Sequence, residues 1–135
     1  MQNSKVLKGI LVVSGLIAMG VGGAILLAPV AFYAENGISL EGRTSLLNEV
    51  RAPGGALLVI GVLIAAGAFV RRLTFTSTLV SVLLYVAYGL SRLLSMAVDG
   101  IPAEGLVHAA GVELAIGGLG LFALVRYREV TRTTA

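Results

Sequence analysis

Residues 81–113 read SVLLYVAYGLSRLLSMAVDGIPAEGLVHAAGVE, and the fold turns on how this stretch is read. As a helix it places Ser81, Tyr85, Tyr88 and Arg92 at spacings of four, three and four, which stacks them on one face. Asp99-Gly100-Ile101-Pro102 then forms a turn, and the next apolar run carries Glu113 near its middle. The pattern predicts a helical hairpin with a base on one arm and an acid on the other. Cα–Cβ bonds tilt toward each helix's N-terminus and the arms run in opposite directions, so Arg92 and Glu113 are expected to point at each other.

Outside this hairpin the chain is just as apolar. Hydrophobic residues make up 57% of its 135 residues and charged residues 13%, with a mean hydropathy of +0.96, where soluble domains carry about 25% charge. A soluble fold of this length could not hide that much apolar surface. Uncharged runs cover 9–34, 52–70 and 73–91, and a fourth, 105–125, is interrupted only by His108 and Glu113. The two shortest are 19 residues each, which at about 1.5 Å per residue cross the hydrocarbon of a bilayer. The expectation is an all-α polytopic membrane protein: one four-helix transmembrane domain over 1–135, with spans at about 7–30, 50–70, 73–97 and 104–126.

The net charge of +3 and a pI near 9.7 have a simple cause. Lys5, Lys8, Arg71, Arg72, Arg126, Arg128 and Arg132 flank alternate ends of the spans, all on one side of four crossings. By the positive-inside rule that side is cytoplasmic, which predicts a multi-pass inner-membrane protein, N-in and C-in, with no nucleic-acid partner. The absence of cysteine removes disulfides, thiolate chemistry and CxxC metal sites.

The first apolar run, 26 residues long, exceeds the roughly 7–15 of a signal peptide's apolar region and ends in no A-x-A-like site, so it is read as a retained span. Ser14, Ala18 and Gly22 form a small-xxx-small stripe suited to intrachain packing, with a homodimer seam as the alternative. Pro29 marks the approach to the end of that span. Ser45 reads as the N-cap of the second, which either begins before Pro53 or has Pro53 in its first turn. Gly54 and Gly55 thin that helix for a close neighbour. Arg71-Arg72 anchors a cytoplasmic turn, and Thr74, Thr76, Ser77 and Thr78 are expected to bond back to their own helix. The basic tail suits an anionic leaflet.

Charges inside a membrane cost about 2.5 to 3.5 kcal/mol on insertion scales, so they pair or mark a site. Arg92 and Glu113 fit both descriptions. Tyr85 and Tyr88 add hydroxyls and aromatic surface beside them, although tyrosine also populates the ordinary interfacial belt. Arg51 either snorkels to the outer headgroups or joins Arg92 in a basic rim. Glu49, Asp99 and His108 are secondary candidates. Glu104 and His108 share a face, but with no third ligand a metal site is not expected. Neither a nucleophile elbow nor a phosphate loop is present.

Arg51-Ala52-Pro53-Gly54-Gly55, Ser91-Arg92, Asp99-Gly100-Ile101-Pro102 and Glu113, in that order, resemble the bacterial inner-membrane proteins grouped as domain of unknown function 4345. The resemblance covers nearly the whole chain. Pro53 stands where the family often has an aromatic before the double glycine, and Ser91 where it has a glycine. A looser likeness is to the DoxX-type four-helix membrane proteins. The resemblance implies that Arg51, Arg92, Asp99 and Glu113 belong to a shared pattern, and it supplies no reaction.

The leading expectation is non-enzymatic and without a cofactor. In it, an outer-half cluster of Arg51, Tyr85, Tyr88, Arg92 and Glu113 binds a lipid- or quinone-like amphiphile, or the protein serves as accessory subunit of a larger membrane complex. A proton-linked transporter or membrane enzyme using Glu113 is one alternative, and a purely structural helix bundle is another.

Overall fold

The computed structural model describes residues 4–133, with side chains through residue 126. Its long elements are all helices: α1 spans Lys5–Leu27, α2 Pro29–Ala34, α3 Thr44–Ala66, α4 Thr74–Asp99 and α5 Glu104–Thr133, with a 3-10 turn at Arg71–Leu73. No strand occurs among the described residues. Four segments, Lys5–Leu27, Thr44–Ala66, Arg71–Asp99 and Glu104–Arg126, are long and apolar enough to cross a membrane. Arg128 and Arg132 of the expected basic tail lie outside the residues whose side chains are described.

Local chemistry fixes the helix ends. Ser4 caps α1 by accepting the amide of Leu7 at 3.3 Å. At the far end Ala28 leaves helical geometry with φ −136°, and Pro29, which has no amide to continue the ladder, enters the first turn of α2. The first long helix therefore stops at Leu27, short of the expected limit at residue 30, and the next residues fold back as a separate helix. Gly42, at φ +70°, turns the chain just before α3. Arg43 consequently takes the cap position with no side-chain bond, and Ser45, expected as the N-cap, sits inside the first turn. Pro53 lies within α3, which resolves the open choice: the helix begins well before the proline.

The helices associate as two pairs, α1 along α3 and α4 along α5. In the first pair, a Cβ added to Gly15 would fall 2.8 Å from the Gly61 carbonyl oxygen, and one added to Gly61 would fall 2.8 Å from that of Gly15. The two backbones touch because neither residue carries a side chain. The Ser14, Ala18 and Gly22 stripe is buried inside the chain. Gly22 packs on the backbone of Gly54 and Leu58, while Ser14 meets α4, accepting from Ser81 Oγ at 3.3 Å and, through its carbonyl, from the Tyr85 hydroxyl. The stripe thus serves intrachain packing.

Leu7, Leu11, Ile64 and Ala68 form a buried core at the end of the bundle that carries Lys5 and Arg71. Hydroxyls seal the same end. Thr78 Oγ1 bonds back to the Thr74 carbonyl at 2.7 Å as expected, but Ser77 Oγ and Thr74 Oγ1 instead reach across to the carbonyls of Leu63 at 2.7 Å and Gly67 at 2.9 Å. The last carbonyls of a helix lack full amide partners, and in apolar surroundings the hydroxyls of the following helix supply them. Facing outward, Val6, Leu27, Phe69, Val98 and Ile101 are 73–80% exposed, a surface suited to hydrocarbon rather than to water.

Candidate functional site

The expected face of α4 is present and graded in depth. Ser81 and Tyr85 are buried, and Tyr88 and Arg92, one and two turns nearer the Gly100 turn, are half-buried. Gly100 reverses the chain with φ +98°, so α5 returns alongside. The pair packs closely because Gly89 has no side chain: a Cβ there would meet the Leu114 Cδ2 at 2.5 Å. With the helices this near, the opposed tilts of their side chains bring Arg92 and Glu113 together. Arg92 Nε donates to Glu113 Oε2 at 2.8 Å, with the side chains 29% and 14% exposed.

A cavity of about 420 Å³ opens beside this ion pair, between the α1–α3 pair and the α4–α5 pair. It lies in the half of the bundle opposite Lys5 and Arg71. Ile17, Val21, Ile25, Leu57, Leu84 and Leu106 make its walls apolar. Among the described residues, Arg92 and Glu113 are the two charged ones that line it, with polar atoms added by Tyr33, Asn36, Tyr85 and Tyr88. Its size falls in the range of about 300–1,000 Å³ typical of small-molecule sites, which are likewise apolar with a few placed polar groups.

Among the lining residues that the sequence did not point to, three bring aromatic or polar groups. Phe32 and Tyr33 on α2 and Asn36 just beyond it fold over the cavity, the two rings meeting edge to face with centroids 5.5 Å apart. The available signal was the aromatic pair three residues after Pro29, where the chain must leave the helix axis.

Arg51 does not join the cluster. It is exposed and does not line the cavity. The buried face of α3 runs through Gly54, Leu57, Gly61 and Ile64, and position 51 lies about 100° around the helix from it. Glu49 is exposed as well. Asp99 accepts from Ser95 Oγ at 3.0 Å on the exposed end of α4, and His108 stands 3.8 Å from Glu104 with both side chains largely exposed. Tyr85 lines the cavity with its ring, while its hydroxyl is engaged by Ser14. Among the described residues, no three His, Asp or Glu side chains gather as a metal site.

Chemically, the arrangement is a neutral couple on an apolar wall. Among the described residues Nε is the one Arg92 donor used, so the two Nη groups and Glu113 Oε1 remain unbonded there, as does the Tyr88 hydroxyl. Such unbonded donors and acceptors can hydrogen-bond a polar group placed beside them.

No curated protein and no solved structure matches this chain. The model of a family described as Domain of unknown function (DUF4345) matches residues 6–124, reaching from α1 into α5 and including both members of the ion pair. The chain belongs to that family.

Proposed function

We propose that this protein is a multi-pass protein of the cell inner membrane, with both termini cytoplasmic, that binds a lipid- or quinone-like amphiphile in the cavity beside Arg92 and Glu113. The sidedness is supported by Lys5, Lys8, Arg71, Arg72 and Arg126, which gather at one end of the bundle. Helices rather than a closed barrel fit an inner membrane.

One observation carries the binding reading: an apolar cavity of about 420 Å³ whose wall holds a charge pair with unspent donors and an unspent acceptor. An ion pair that only locked two helices together would need no space beside it. The apolar walls suit acyl or prenyl chain, and Arg92 with Tyr88 suits a polar end. Native mass spectrometry of protein extracted gently from its own membrane tests this. The wild type is expected to carry a discrete added mass that Arg92→Gln loses while remaining folded. A wild type that carries nothing, or an added mass that persists in Arg92→Gln, refutes it.

A further inference from the structure

Resting on the amphiphile-binding reading, the structure assigns a ligand class to the cavity: a neutral amphiphile whose polar end offers a hydroxyl beside an oxygen acceptor, and not an anionic lipid. An arginine on a membrane cavity usually suggests a phosphate or carboxylate. Here that charge is already matched. Glu113 Oε2 accepts the Nε hydrogen bond at 2.8 Å, and no other lining residue is charged among the described residues, so the cavity lining has no net formal charge. An anionic head would enter with one unmatched negative charge and crowd Glu113, whose side chain is only 14% exposed. Burying an unmatched charge among apolar walls is strongly unfavourable.

What remains on the wall is one set of donors next to one acceptor. The Nη groups of Arg92 have no partner among the described residues and need an oxygen acceptor, while Glu113 Oε1 needs a donor. The 2.8 Å bond holds these two needs side by side. A hydroxyl adjacent to another oxygen answers both at once, and the Tyr88 hydroxyl on the same wall can give or accept a further bond. Two sources carry this chemistry: the glycerol end of an acylglycerol, with its free hydroxyl beside an ester, and a reduced quinone ring, with its hydroxyl beside an alkoxy oxygen.

The test offers delipidated full-length protein equal concentrations of 1,2-dioleoylglycerol, dioleoyl phosphatidic acid and decylubiquinol, read by native mass spectrometry. Dioleoylglycerol and the phosphatidic acid share chains and esters and differ in the charged head. At least tenfold greater retention of a neutral probe is expected, and the neutral probe retained identifies the source. In Glu113→Gln, which leaves Arg92 unmatched, the preference should move toward phosphatidic acid by tenfold or more. Should that variant not fold, Arg92→Gln with Glu113→Gln removes both charges, and retention of phosphatidic acid by this uncharged cavity would overturn the assignment. Wild type that retains phosphatidic acid as well as either neutral probe overturns the assignment, as does a Glu113→Gln with unchanged preference. If all three probes fail while untreated protein carries a mass lost in Arg92→Gln, the neutral class falls and the binding reading stands. If untreated protein also carries nothing, both fall.

Discussion

Replacing Arg92 with Met removes the guanidinium whose Nε lies 2.8 Å from Glu113 Oε2 and strands a carboxylate that is 14% exposed. Two unit charges about 4 Å apart attract by roughly 4 kcal/mol at an effective dielectric near 20. In the intact protein the cost of drawing both groups out of water offsets most of this, so the net worth of the pair is small, while breaking a fully buried pair costs about 3–5 kcal/mol. The contact is a single hydrogen bond and neither partner is fully buried, which places Arg92→Met lower, at about 2–3 kcal/mol. Glu113→Leu should cost about 1–2 kcal/mol, because Arg92 is 29% exposed and its long stem can carry the charge toward the interface. The double variant strands no charge and should cost about 1 kcal/mol or less, which makes the coupling about 3 kcal/mol. The assay is reversible unfolding in detergent–SDS mixed micelles, followed by helical circular dichroism. Costs that simply add, or an Arg92→Met within about 0.5 kcal/mol of wild type, would refute the view that the pair is desolvated.

Other perturbations separate struts from site. Gly61→Val pushes a branched side chain into the Gly15 backbone and should cost at least about 1–3 kcal/mol in the same unfolding assay, whereas Gly20→Ala, with open space around it, should be neutral or stabilising. Tyr85→Phe deletes the donor to the Ser14 carbonyl and should lower stability by about 1 kcal/mol with bound ligand retained; Tyr88→Phe should leave stability unchanged and weaken ligand retention in native mass spectrometry. Ser77→Ala withdraws the hydroxyl from the Leu63 carbonyl and should cost about 1 kcal/mol, read by the same unfolding curve. Because the chain has no cysteine, single cysteines at Arg72 and Asp99 can be labelled in sealed vesicles; a membrane-impermeant maleimide should reach them from opposite sides.

How much of this was legible beforehand depended on whether a regular helix carried the information. The four-three-four spacing of Ser81, Tyr85, Tyr88 and Arg92 fixes a face from sequence alone, and the opposed tilts across a short turn fix the Arg92–Glu113 contact. Arg51 stayed open between snorkelling and a basic rim because its angle around α3 relative to Gly54 and Leu57 depends on which face α1 covers. Ser77 and Thr74 misled for a related reason: a hydroxyl's own helix always offers it a carbonyl, and only the tertiary arrangement shows that Leu63 and Gly67 compete successfully. Phe32, Tyr33 and Asn36 reach the cavity through the break at Ala28 and Pro29, where no periodicity reports direction.

The most direct test of cavity binding fills the cavity and leaves the ion pair alone. Ala109 lines it, half-buried on α5, with a small side chain. Native mass spectrometry of Ala109→Phe beside the wild type should show the added mass lost from a protein that remains folded and keeps its Arg92–Glu113 coupling. An added mass carried equally by both proteins would place the amphiphile elsewhere and contradict binding in this cavity.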